Sequence, residues 1–545
     1  MASFMQDWPL RVGRIIDHAA RFHPRRDVIS RDTEGTISRT NWAGINRDAK
    51  KVTQALRKLG IGPGDAVGVM GWNTARIMKI WYGVPGAGAA LHTLNPRLFA
   101  DQLVYVINHA EDKAILVDFD LLPVIMNVRD RLETVKNIIV MTDAAHMPDA
   151  TPEGALCFED WIADHDGDTD WEPVDETAPC GICYTSGTTG NPKGVVYTHR
   201  SNTLHSLASQ APDMLGLRSK DRMMPVVPLF HANGWSTGYT TPMSGASMVM
   251  PGNDMSPAGL YEMLEHGVTV TAAVPTVWLG LLQYLDTEKK GFSTLDRVVI
   301  GGSSCPRAVI EAFQDNYGVR VMHAWGMTEM SPLGTVCTFK PEVEAMDPAA
   351  QLDVQETVGH PPFTVDLAIV GEDGAELPWD GVAQGQLLAR GDAVVGEYLK
   401  HDKPAVDAAN WFDTGDMATM DANGYVRITD RSKDVIKSGG EWISSIDLEN
   451  AAVGHPDVAE AAAIGVADPK WGERPILVVV PKPGTTPDKA EILARVAKVV
   501  AKWQVPDDVV YRDEIPHTAT GKISKLQLRE MIGADEYVLA SGSGT

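Results

Sequence analysis

Short apolar runs alternate with longer amphipathic stretches over the first 350 residues of the chain. Residues 9–22 and 42–59 carry apolar side chains at helical spacing, and the second stretch stops at Gly60 and Gly62-Pro63. Residues 66–70, 114–117, 138–141, 224–227, 268–274 and 297–300 are short and apolar, which predicts buried strands. The Ala- and Gly-rich stretch 75–91 reads as one helix packed on a sheet. Strands alternating with helices predict α/β layers around parallel sheets. After about residue 355 the texture changes. Runs such as 367–370 and 386–390 are broken by Gly and Asp and predict a small, turn-rich β subdomain. Residues 430–440 are polar and end in two glycines, reading as flexible sequence that joins two domains, with a plain charged linker as the alternative to a functional segment. A new α+β pattern follows, with helices over 447–453 and 489–503 and strands over 458–466 and 476–480. The expected organisation is a large N-terminal domain of layered α/β subdomains plus the β subdomain over 1–432, and a small, mobile α+β C-terminal domain over 433–545.

Composition narrows the function. With 545 residues and 44% apolar content the chain can bury several cores. A net charge of −24 argues against a nucleic-acid surface, since phosphate backbones would be repelled. Five cysteines are too few and too scattered for a disulfide framework, and Cys180–Cys183 lacks the partners of a zinc site, so both read as small buried residues. No apolar run reaches the length of a membrane span, and no apolar leader follows Met1, which points to a cytoplasmic protein.

Candidate chemistry begins at residues 184–194, YTSGTTGNPKG. Thr185, Ser186, Gly187, Thr188, Thr189 and Gly190 are followed by Lys193. Small residues let backbone N–H groups face an anion, hydroxyls add donors, and a lysine adds charge. The Walker A pattern fails, because Pro192 stands where its second glycine should and Gly194 follows the lysine. Strand-like runs on both sides suit a loop closing over a polyphosphate. Four further segments carry polar chemistry: WGMTE at 325–329, WFDTGD at 411–416, DRSKD at 430–434 and PHTATGK at 516–522. An aromatic for a base, a carboxylate for a metal or ribose and a lysine for a transition-state charge are the roles each could fill.

In this order and spacing the five segments closely resemble the adenylate-forming superfamily of acyl-CoA synthetases, luciferases and peptide-synthetase adenylation domains, from about Arg14 to Met531. The resemblance implies ATP, Mg²⁺ and coenzyme A, a small carboxylic acid as substrate, and a homodimer in many members. It implies that the 185–193 loop holds the β- and γ-phosphates and that Thr188 and Glu329 serve the metal. Gly302, Ser303, Ser304, Ala324, Trp325, Gly326, Met327, Thr328 and Ile428 would surround the nucleotide, with Trp325 where the family usually has tyrosine. Asp416, helped by Arg431, would anchor the ribose. Lys522 would bridge the carboxylate and the α-phosphate, with Glu329 and His231 as further catalytic groups. Lys433 would be a hinge. After acyl-AMP forms, Lys522 would leave and Lys437, Gly439, Gly440, Glu441 and Trp442 would arrive to shape a thiol tunnel.

For the acyl group, His231, Trp235, Thr276, Trp278, Gly302, Gly326 and Met330 are the candidates. None is charged apart from the titratable His231, so an apolar tail is expected and an amino acid is not. Two tryptophans should shorten the pocket. The text, with PLFHANGW and SGGEWISS, resembles bacterial short- and medium-chain ligases of the 3-methylmercaptopropionate–CoA ligase type, which act in dimethylsulfoniopropionate breakdown, and a thioether suits aromatic walls. A ligase feeding a carrier protein and a luciferase-like oxygenase are the alternatives.

Overall fold

The computed structural model describes residues 5–185, 191–439, 441–517 and 523–533. Two sheets form the body of the large lobe. One has seven strands, in the order Leu156–Cys157, Asn137–Met141, Asp112–Asp118, Ala66–Met70, Ala90–Thr93, Pro179–Tyr184 and Gly194–Thr198. It is parallel except for the last hairpin, in which Tyr184 pairs with Gly194. The other has eight strands and runs from Leu333–Val336 through Arg320–Gly326, Arg297–Gly301, Val270–Ala273, Arg222–Pro225 and Ser247–Met250 to Asp27–Arg31 and Ile37–Asn41. Its inner strands are parallel and buried on both faces, which is why they read as continuous apolar runs.

The expected β subdomain is a four-stranded antiparallel sheet of Val365–Val370, Gly385–Gly391, Phe412–Met420 and Val426–Arg431. A separate five-stranded sheet follows, built on the long hairpin Val458–Asp468 and Gly472–Pro481 and packed on the helix Ser445–Val453. No helix of the described residues is long and apolar enough to cross a membrane.

Four stretches depart from expectation. The helix expected over 75–91 ends at Gly86, and Ala90–Thr93 is a strand beside Ala66–Met70. Gly88, at φ +85°, makes the break that periodicity could not reveal. The first helix starts at Gly13 rather than Pro9. The N–H groups of Leu10 and Val12 are spent on Glu176 and His199, far away in sequence. The helix from Lys489 stops at Val496, ahead of the β-branched Val499 and Val500. Finally, residues 430–439 are not a solvated linker. Asp430 is buried and accepts the Ser445 N–H at 2.8 Å, and Ile436–Ser438 is a strand. Cys180 and Cys183 are buried, unpaired thiols. Three residues apart on one strand, they enter different cores.

Candidate active site

A cleft of about 1810 Å³ opens where the eight-stranded sheet, the β subdomain and the C-terminal lobe meet. Its walls bring together residues spread along the chain from Arg97 to Arg529. Thr185, His231, Trp235, Thr276, Gly302, Ser303, Ser304, Ala324, Trp325, Gly326, Met327, Thr328, Glu329, Asp416, Ile428, Arg431 and Lys433 all line it.

The loop beginning at Thr185 is closed at its base. Thr185 N–H donates to the Lys193 carbonyl at 2.9 Å, and the flanking strands pair antiparallel. Ser186, Gly187, Thr188, Thr189 and Gly190 lie outside the described residues, as do Gly440 and Lys522. Lys193 does not line the cleft. Its ammonium sits 4.7 Å from the ring centroid of Tyr398, which does.

Strand Arg320–Gly326 delivers the next group. Trp325 lies flat against Gly334, where any Cβ would meet the indole at 2.6 Å. Its Nε1–H donates to Asp416 Oδ2 at 2.8 Å, and Arg431 Nε contacts Asp416 Oδ1 at 2.9 Å. The carboxylate is buried, so these two donors satisfy and orient it. A tight turn then carries Glu329 into the cleft wall at 8% exposure. Burial raises its pKa, against the pull of the Tyr398 hydroxyl at 2.9 Å and of the Arg431 and Lys193 charges. Among the described residues Glu329 has no ion-pair partner. A buried carboxylate with one neutral donor is the chemistry of a divalent-cation ligand. Thr328 is fixed through its carbonyl, which accepts from the Tyr197 hydroxyl at 2.7 Å.

The acyl candidates divide. Residues Ala232–Ser236 run with positive φ at five successive positions, 37°, 42°, 57°, 53° and 64°. Four of the five are not glycine, and such residues cost about 1–3 kcal/mol each in this region. The strain is held by Thr93 on Asn233, Ser206 on Ser236 and Thr237 on the Gly234 carbonyl. The result is that Trp235 lies over Gly301 and Gly302, 3.2 Å from where a Gly301 Cβ would stand. Glycine at 301 leaves the indole its place, while Gly302 takes a φ of +85°.

Trp278 and Met330 do not belong to this wall. Trp278 is fully buried and packs edge-on against Phe313 at 5.9 Å. Thr276 and Trp278 are two apart on one helix, so they face roughly opposite ways. Thr276 takes the cleft, and Trp278 joins Leu281 and Leu285 in the core. Met330 is buried beneath Trp325 in the core of the β subdomain.

The C-terminal lobe closes the cleft from the other side. His517 and Ile523, on either side of residues 518–522, line it. Lys437, Gly439, Glu441 and Trp442 do not. They belong to a hairpin of the C-terminal sheet, with Trp471 packed over Gly439. Ser304 meets Asn450 at 2.9 Å across the seam. Tyr398, Asn450 and Lys525 line the cleft without having stood out in the sequence. Each is a single residue in no local pattern, and only the fold brings it there.

The profile of the AMP-binding enzyme family matches residues 16–399, and that of the AMP-binding enzyme C-terminal domain matches 447–522. The chain is 46% identical over 97% of its length to the 3-methylmercaptopropionyl-CoA ligase of Ruegeria pomeroyi, 98% of which is covered. It is 43% identical to a medium-chain-fatty-acid–CoA ligase of Ectopseudomonas oleovorans, with 98% of both chains covered. Among solved structures, the anthranilate CoA ligase AuaEII in complex with anthranoyl-AMP superposes with a TM-score of 0.85 at 25% identity, over 97% of this chain and 99% of that one.

Proposed function

Since the chain belongs to the AMP-binding enzyme family and is an AMP-forming acid–CoA ligase, we propose that it activates 3-methylmercaptopropionate or a short- or medium-chain fatty acid. The acid would attack the α-phosphorus of ATP, giving acyl-AMP and pyrophosphate, and the thiol of coenzyme A would then displace AMP.

The observation that carries this reading is the convergence on one cleft of Thr185, Glu329, the Trp325–Asp416–Arg431 cluster and the Trp235 wall. Asp416, oriented by two donors, would accept the ribose hydroxyls, and the Trp325 face would meet the adenine. The 185–193 loop would hold the leaving pyrophosphate. Thr188 and Glu329 would hold Mg²⁺, and Thr328 would meet the phosphate oxygens. The ion would supply charge neutralisation on the phosphates. Lys522 would bridge the carboxylate and the α-phosphate in the first step. His517 and Ile523 line the cleft while Lys437, Gly439, Glu441 and Trp442 do not, which supports reading this arrangement of the lobes as that of the first step. Lys433 would be the pivot on which Lys437, Gly439, Gly440, Glu441 and Trp442 reach the thiol site.

Trp235 supports a short, apolar acyl site. The loss of Trp278 from the wall removes half of the steric argument for short chains and leaves it on Trp235. His231, beside it, would gate or assist the thiol. A cytoplasmic homodimer acting in dimethylsulfoniopropionate breakdown is the wider setting proposed.

ATP–pyrophosphate exchange with C2 to C12 acids and 3-methylmercaptopropionate, followed by coenzyme A, tests the reading. Exchange should be strongest with the thioether and with C4 to C8 acids, and CoA should convert each adenylate to thioester and AMP. Exchange without thioester formation would point to a carrier-protein thiol, and oxygen uptake to an oxygenase. Preference for amino acids would refute the acyl assignment.

A further inference from the structure

Tyr398 stands in none of the sequence segments that carry recognisable chemistry, yet its neighbourhood ties two sides of the cleft together. Val395 N–H donates to the Glu329 carbonyl at 2.7 Å, and Leu399 N–H donates to the Gly194 carbonyl, at the base of the 185–193 loop, at 2.8 Å. Between these two anchors the Tyr398 hydroxyl donates to Glu329 Oε1 at 2.9 Å. The same ring seats the Lys193 ammonium 4.7 Å from its centroid.

We propose that Tyr398 is a positioning residue that sets cation specificity: by occupying Oε1 it makes Glu329 a one-oxygen ligand and so favours magnesium over calcium on the bound nucleotide. The proposal rests on the reading of Glu329 as the metal-holding carboxylate. Its physical basis is the difference between the two ions. Magnesium is small, keeps near-octahedral geometry and takes single carboxylate oxygens together with phosphate and water. Calcium is larger, takes six to eight oxygens and readily uses both oxygens of one carboxylate. Glu329 can offer both only by giving up the phenol. Fixed at both ends of its segment, that phenol has little freedom to move aside. The ring has a second, separable part. Phenylalanine would keep the aromatic face beneath Lys193 and remove only the hydroxyl, whereas leucine would remove both.

The test is calorimetric binding of ATP to the full-length protein without acid, so that no turnover occurs, with Mg²⁺, with Ca²⁺ and without metal. Wild type, Tyr398→Phe, Tyr398→Leu and Glu329→Gln are compared, with thermal melting to establish that each is folded. In Tyr398→Phe the preference for Mg²⁺ over Ca²⁺ should narrow about tenfold, the scale of one hydrogen bond to a charged group, while metal-free ATP binding is unchanged. Tyr398→Leu should also weaken metal-free binding, because Lys193 loses its seat. An unchanged Mg²⁺/Ca²⁺ ratio in Tyr398→Phe, with metal dependence lost in Glu329→Gln, would overturn the role of Tyr398 and leave the metal reading standing. Metal dependence intact in Glu329→Gln would overturn both.

Discussion

Asp416 is a buried carboxylate whose two oxygens meet different donors, the Trp325 indole at 2.8 Å and Arg431 at 2.9 Å. Leaving a buried acceptor short of a donor costs about 1–3 kcal/mol. Trp325→Phe keeps an aromatic face but deletes the N–H. We expect it to weaken ATP binding roughly tenfold and to lower the melting temperature, since on the proposed reading the same carboxylate would serve both ligand and fold. Calorimetry with ATP alone checks this, and an unchanged dissociation constant would mean that the indole only fills space. The resemblance to adenylate-forming enzymes leads one to expect a tyrosine at this position, where the chain has Trp325. A tyrosine hydroxyl projects from the end of its ring, whereas the indole N–H projects from the side, and here it reaches Asp416.

At the scale of elements, the strand Arg320–Gly326 and its antiparallel neighbour Leu333–Val336 frame the turn that carries Thr328 and Glu329. Their register shifts between Trp325 and Gly326, and a Cβ on Gly326 would stand 2.0 Å from the Pro332 carbonyl oxygen. Backbone cannot step aside as a flexible side chain can. Gly326→Ala should therefore spread the two strands, costing about 1–3 kcal/mol of stability and displacing Glu329. Thermal unfolding together with ATP–pyrophosphate exchange checks it: both should fall, and full exchange in a destabilised variant would uncouple the turn from the chemistry. The strained Ala232–Ser236 turn follows a similar logic, since its side-chain ties hold a conformation that the chain alone would avoid.

At the scale of the molecule, the two lobes meet along a polar seam. Ser445 N–H donates to Asp430, and Ser304 meets Asn450. Within the C-terminal lobe Lys525 is buried against Glu449 at 2.7 Å and is also hydrogen-bonded to Ser445. Polar seams exchange their partners for water more readily than apolar ones, which would suit the proposed turning of the C-terminal lobe. Proline fixes φ. Lys433→Pro should accordingly slow thioester formation more than adenylation, read as a preserved pyrophosphate burst with reduced CoA turnover. Equal losses in both steps would remove the pivot from Lys433.

The order of elements, the two parallel sheets and the β subdomain were legible in the chain because helix and strand periodicity are local and burial of both sheet faces leaves continuous apolar runs. Residues 325–329 and 411–416 stood out in the chain as cleft candidates, since each is a compact set of polar and aromatic residues, and both segments reach the cleft wall. Tertiary structure alone decided which tryptophan faces the cleft: Trp235 does and Trp278 does not, because a helix turns adjacent positions to different sides and only packing chooses between them. It alone decided that Asp430 is buried rather than solvated, and that Tyr398, 69 positions from Glu329, holds that carboxylate. Side-chain pairing in a low-dielectric interior depends on what the fold brings near, and no spacing along the chain encodes it.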